Sequence, residues 1–188
     1  MKGAPTRRLR WGFALAGGVA VALCAWLYTP DQSEALLAPR YLRGPGDWVS
    51  VAGLRLHLRD DGPKDAPAVL FLHGFGSSLH TWEPWAQILS RDLRTIRLDL
   101  PGFGLTGPDP GGDYSDERNI AVLCALLDRL GIERTSVVGN SIGGRLAWKL
   151  AALRPTRVER LVLISPDGFS SPGSGSSRRD ARAHRRRS

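Results

Sequence analysis

Cysteine is scarce: Cys24 and Cys124 are the two in 188 residues, one in an apolar run and one on a predicted amphipathic helix. They leave no disulfide framework, and no CxxC or paired His/Cys spacing calls for a metal. No metal, cofactor or internal repeat is expected. Acidic residues are rare at both ends. The formal charge of +8 raises the possibility of a nucleic-acid or lipid partner until it is located. Lys2, Arg7, Arg8 and Arg10 lie at one end, and Arg178, Arg179, Arg182, Arg185, Arg186 and Arg187 at the other. Residues 11–177 then carry 16 positive and 17 negative side chains, a net charge of −1. The globular part is neutral, which removes the case for a specific nucleic-acid partner.

Charge is missing altogether from residues 11–28, WGFALAGGVAVALCAWLY. As a helix these residues would extend about 27 Å, close to a bilayer core. Trp11, Trp26 and Tyr28 occupy the ends, where interfacial aromatics belong, and basic residues precede the run. The expectation is a basic cytoplasmic segment over 1–10 and a transmembrane signal anchor over 11–28, with the domain on the non-cytoplasmic side of the membrane. The competing reading is a signal peptide cleaved near Ala20-Val21-Ala22, giving a secreted or periplasmic protein. Residues 29–46, with Pro30, Pro39, Gly44, Pro45 and Gly46, read as a linker.

From residue 47 the pattern is that of an α/β domain. WVSV and LRLHLR alternate on either side of Ala52-Gly53, a hairpin signal. AVLFL (68–72) is a continuous apolar run suited to a strand buried on both faces. A helix with an irregularity at Pro84 is expected over 79–90, and a strand over 94–100. SDERNIAVLCALLDRLG (115–131) reads as a helix capped by Ser115 and ended by Gly131, with Ile120, Leu123, Leu127 and Leu130 on one face. TSVVGN is a strand, IGGRLAWKLAALR a helix and VERLVLI (158–164) a strand. Strands alternating with helices after a hairpin predict a mostly parallel sheet with helices on both faces. Residues 170–188, rich in serine and arginine and without periodicity, read as a disordered basic tail that looks foreign to the domain.

Gly139-Asn140-Ser141-Ile142-Gly143 matches G-x-S-x-G between a strand and a helix. Such a turn presents its serine at a helix N-terminus, where backbone amides favour developing negative charge. The bland alternative is a glycine turn with a serine cap. His73-Gly74-Phe75-Gly76 follows the apolar strand. The backbone amides of Phe75 and Ile142 together would form an oxyanion hole. His73 reads as a hydrogen-bonded histidine that shapes this loop rather than as a base. Phe75, Leu79, Trp82 and Ile142 are candidates for lining a substrate pocket, with core packing the alternative.

HGFGSSLHTW, DLPGFGLT (99–106) and GNSIGG, in this order and spacing, resemble the α/β-hydrolase superfamily over about residues 47–169. The branch is that of esterases, lipases and carbon–carbon bond hydrolases. The resemblance implies Ser141 as nucleophile, Phe75 and Ile142 as oxyanion donors, a structural Asp99, and a small ester-like or related carbonyl substrate. Serine at the elbow argues against the dehalogenase and epoxide-hydrolase members, which place aspartate there. In the family an acid and a histidine follow later strands, and neither those strands nor the cap is recognisable beyond residue 169. Asp167 follows the sixth strand, where some relatives carry the acid, although a loop aspartate before glycine is the plainer reading. His184 sits in the arginine-rich tail. The expectation is therefore a C-terminally truncated, membrane-anchored serine hydrolase, weakly active or inactive. The alternative is a non-catalytic, membrane-tethered interaction protein retaining half of the fold.

Overall fold

The computed structural model describes residues 7–28 and 32–168. The expected tail lies outside the described residues. The chain divides into two compact units, residues 1–40 and 41–188.

The first unit holds α1 (Arg7–Leu27) and most of α2 (Glu34–Tyr41). Residues 11–27 are helical as expected, but they do not supply the expected span. Among the described residues no helix is long and apolar enough to cross a membrane. Three of the 21 residues of α1 are Arg7, Arg8 and Arg10, so the charge-free part of the helix is 17 residues, at the short end of what a span needs. Trp11, Phe13, Leu15, Val21 and Trp26 are nonetheless solvent-exposed. The linker reading of 29–46 also changes, because α2 occupies part of it with Pro39 inside the helix.

The second unit is built on six strands: β1 (Trp48–Val51), β2 (Leu54–Asp61), β3 (Ala68–Leu72), β4 (Arg94–Leu98), β5 (Thr135–Asn140) and β6 (Val158–Ile164). Their spatial order is β1-β2-β4-β3-β5-β6. β1, β2 and β4 pair antiparallel, while β4, β3, β5 and β6 run parallel. The hairpin closes with Val51 opposite Leu54, leaving Ala52 and Gly53 as a two-residue turn. Both have positive φ, the conformation whose twist matches the strands.

β3 is central, and its alternate residues divide two cores. Leu70 and Leu72 pack with Ile96, Leu98 and Val137 under Leu123, Leu127 and Leu146. These last three come from α4 (Asp116–Arg129) and α5 (Ile142–Leu153). Val69 and Phe71 pack on the other face with Trp82 and Val138, the face covered by α3 (Glu83–Leu89). The helix expected over 79–90 is split: Leu79–Trp82 is a 3-10 turn, and α3 begins at Glu83. Pro84 explains the break, because a missing N–H and fixed φ suit the first helical turn and not the interior. α4 agrees closely with the sequence, with the Ser115 hydroxyl accepting the Arg118 N–H at 3.1 Å.

The chain crosses from β3 to β4 on one side and then over β3 to β5 on the other. That reversal opens a crevice beyond the carboxyl ends of β3 and β5, the place where open parallel sheets bind ligands.

Candidate active site

Both glycine-rich segments reach this crevice. Ser141 joins β5 to α5 with φ 51 and ψ −118, a left-handed backbone that costs a non-glycine residue about 1–3 kcal/mol. Its hydroxyl does not cap α5, which removes the capping-serine alternative. The strain is held in place from β6. The Ser141 N–H donates to the Ile164 carbonyl at 3.1 Å, and the Asp167 N–H donates to the Ser141 carbonyl at 3.0 Å. The flanking glycines are there for close approach. A Cβ on Gly139 would overlap the Gly143 carbonyl, and one on Gly143 would overlap the carbonyl oxygens of Leu72 and His73 at the end of β3. α5 therefore starts almost on top of the sheet, with Ser141 at its rim.

The loop after β3 is fixed by His73. Its Nε2 accepts the Leu100 N–H at 3.0 Å, so its proton is on Nδ1, which donates to the Gly74 carbonyl at 2.8 Å. Both ring nitrogens are occupied, in keeping with a shaping role and not a base. Burial pushes the His73 imidazole below its ordinary value, against the pull of the Gly74 carbonyl and Asp99. Burial, and then Arg59, lower His80 likewise. A histidine held neutral in the folded state binds its proton more readily when unfolded, so stability is full above about pH 6.5 and falls as pH drops below it. Urea midpoints are expected to decline from about pH 6.5 downward; a midpoint rising on acidification would contradict this assignment.

Phe75 and Ile142 line one cleft of about 480 Å³ together with Leu100, Pro101, Gly102, Phe103, Tyr114, Asn119 and Arg145. Among the described residues neither the Phe75 nor the Ile142 amide donates to a backbone carbonyl or side chain. Phe75 is 81% exposed and meets Phe103 edge-on at 5.6 Å, and Phe103 meets His73 at 5.4 Å. Two expected lining residues are not there. Leu79 is fully buried and Trp82 packs on Phe71 at 5.2 Å in the opposite core; the turn after the loop directs both inward. In their place stand Pro101 to Phe103, Tyr114 and Arg145. The DLPGFG turn was the one signal for the first of these, and nothing local marks the other two.

Asp167 approaches the elbow but turns its carboxylate away. One oxygen accepts Arg145 Nη1 at 2.8 Å, the other accepts the Gly168 N–H at 2.7 Å, and its carbonyl accepts the Trp148 indole N–H at 3.2 Å. It is engaged as a loop anchor and not aimed at a histidine. Among the described residues no histidine hydrogen-bonds Ser141, and no group of acidic, histidine and cysteine side chains could hold a metal. Cys24 and Cys124 are both free thiols.

A family model described as alpha/beta hydrolase fold matches residues 67–184. The 2-hydroxy-6-oxo-2,4-heptadienoate hydrolase of Pseudomonas putida is 39% identical over 128 residues, 66% of this chain and 46% of that protein. Epoxide hydrolase 2 of Siraitia grosvenorii is 38% identical over 119 residues, 62% of this chain and 37% of that protein. Among solved structures, a meta-cleavage product hydrolase from Pseudomonas fluorescens superposes with a TM-score of 0.62 at 30% identity, covering 66% of this chain and 46% of the other. The chain spans less than half the length of the curated relatives it matches.

Proposed function

The chain belongs to the α/β hydrolase family, whose model matches more than half of it, and from that premise we propose that it is a serine hydrolase with Ser141 as nucleophile. The observation that carries this is the strained Ser141 backbone with its hydroxyl unused by α5. Strain of this kind persists only where the surroundings impose it, and here β6, Gly139 and Gly143 do so.

The reaction is acyl or related carbonyl cleavage. The Ser141 hydroxyl adds to a carbonyl carbon, the carbonyl oxygen becomes an oxyanion, and the amides of Phe75 and Ile142 receive it. Collapse of that intermediate expels the leaving group. The hydroxyl proton needs a base, and the bonding of His73 leaves it none to offer. Among the described residues no histidine hydrogen-bonds Ser141, so the proposal is of a correctly shaped but weakly activated nucleophile. Relatives named as carbon–carbon and epoxide hydrolases both match. Serine rather than aspartate at the elbow favours ester-like and related carbonyl substrates. The exposed apolar side chains of α1, preceded by arginines in the sequence, support association with a lipid bilayer surface.

The absence of a hydrogen-bonded histidine at Ser141 among the described residues supports the second reading, a membrane-tethered interaction protein without catalysis. One experiment decides between them. The 188-residue chain is mixed with phosphatidylcholine–phosphatidylserine vesicles, sedimented and treated with a fluorophosphonate. Slow labelling in the vesicle fraction, lost in Ser141→Ala, is expected. Folded protein that never labels would establish the second reading, and labelled protein left in the supernatant would remove the lipid association.

A further inference from the structure

We propose that Asp99 is the positioning residue of this site, fastening the oxyanion loop and the aromatic cleft wall to one carboxylate, with His57 as its buttress; this rests on the reading of Ser141 and the Phe75 amide given above. Asp99 follows β4, one strand from β3 and two from β5, which ends at the Ser141 turn, and does not touch the nucleophile. It is almost completely buried. Its Oδ1 accepts the Leu79 N–H at 2.7 Å, at the point where the oxyanion loop 74–78 enters the 3-10 turn. Its Oδ2 accepts the Leu105 N–H at 2.9 Å, which closes the turn carrying Pro101, Gly102 and Phe103. The same Oδ2 accepts His57 Nδ1–H at 2.7 Å.

The backbone around this carboxylate is tied as tightly. The Asp99 N–H donates to the His57 carbonyl at 3.0 Å. The Thr106 hydroxyl donates to the Asp99 carbonyl at 2.7 Å and accepts the His57 N–H at 3.0 Å. Gly104 packs against the carboxylate so closely that a Cβ there would overlap it. Burial alone would raise the Asp99 carboxyl, but the bonds from His57, Leu79 and Leu105 outweigh it and hold it ionised. An ionised acceptor with three donors is a rigid junction, because charge-assisted bonds are shorter and stronger than neutral ones.

The two loops so joined both line the cleft. Phe75 belongs to one and Phe103 to the other, and their edge-on contact spans the gap. If either loop slides, the Phe75 amide moves away from the place where an oxyanion would form. His73 ties the two loops where they leave the strands, through Gly74 and Leu100, and Asp99 ties their far ends, at Leu79 and Leu105. A carboxamide cannot replace it: in either orientation its NH2 would face a donor, Leu79 N–H on one side or Leu105 N–H and His57 on the other.

The test uses the full chain and two readouts, at a temperature where far-UV spectra of all variants coincide. Hydrogen exchange is followed by mass spectrometry, and fluorophosphonate labelling of Ser141 is timed. In Asp99→Asn, exchange is expected to quicken about tenfold in peptides covering 74–80 and 100–107, with β5 unchanged, and labelling to slow about tenfold. His57→Leu should behave similarly, while His57→Asn, which can still donate from near the Nδ1 position, should restore the native pattern. Unchanged exchange in either loop, exchange quickened throughout the sheet, or an unchanged labelling rate in Asp99→Asn would overturn the positioning role. A wild-type chain that never labels would instead defeat the nucleophile reading, and the exchange pattern then decides the role of Asp99 by itself.

Discussion

Gly143→Ala is expected to destabilise the domain by about 3 kcal/mol and to abolish any reaction at Ser141. The added methyl would sit inside the van der Waals radii of two backbone oxygens, those of Leu72 and His73. Neither can swing aside as a flexible side chain would, because both end the central strand β3. Relief requires α5 to lift from the sheet, and the turn at Ser141 would open with it. The cost therefore falls on two links at once, the packing of α5 and the strained φ that presents the hydroxyl. Urea unfolding followed by circular dichroism measures the first, and fluorophosphonate labelling below the transition measures the second. A variant within about 0.5 kcal/mol of wild type would mean that helix and strand are less closely packed than described.

Arg97→Ala is expected to cost about 3 kcal/mol, with Arg97→Met recovering more than half. Arg97 stands beside Phe71 in the parallel register of β3 and β4, and its side chain is 1% exposed. It donates to Asp61 Oδ2 and Glu83 Oε2, each at 2.6 Å, joining β2, β4 and the start of α3. Burial alone would raise both carboxyls, but Arg97, with Arg43 at Asp61 and Arg59 at Glu83, holds them below the usual range. Asp61 keeps Arg43 when Arg97 is removed, and Glu83 is partly exposed, so the stranded charges contribute less than in a fully buried pair. The rest is cavity, left where the long aliphatic stem packs in the sheet, and methionine fills it. Equal midpoints for the alanine and methionine variants would show that charge, not packing, dominates at this position.

The sequence by itself determined the features whose cause is local. Ser115 before an acidic turn caps α4, a two-residue Ala-Gly turn closes β1 on β2, and β3 is apolar throughout because both its faces are covered. G-x-S-x-G was legible for the same reason: each glycine answers to a contact within a few residues or on an adjacent strand, so the residue type carries the geometry. Charge-free residues 11–27 were rightly helical, yet local hydropathy overstated them as a span.

Tertiary structure alone decided where side chains face once a loop has turned. Leu79 and Trp82 look like pocket residues beside Phe75 in the chain, but a 3-10 turn tied to Asp99 carries them into the core. Tyr114 reaches the cleft from the loop before α4, and Arg145 from α5. Asp167 meets Arg145 because β6 lies against β5, and His57 meets Asp99 because β2 pairs antiparallel with β4. The order β1-β2-β4-β3-β5-β6 makes these neighbours from residues up to 42 positions apart. Strand order is a property of non-local pairing, in which any strand of suitable pattern competes for any edge. No periodicity in the chain encodes the winner, and the buried partners of Asp99 and Arg97 appear once the sheet is assembled.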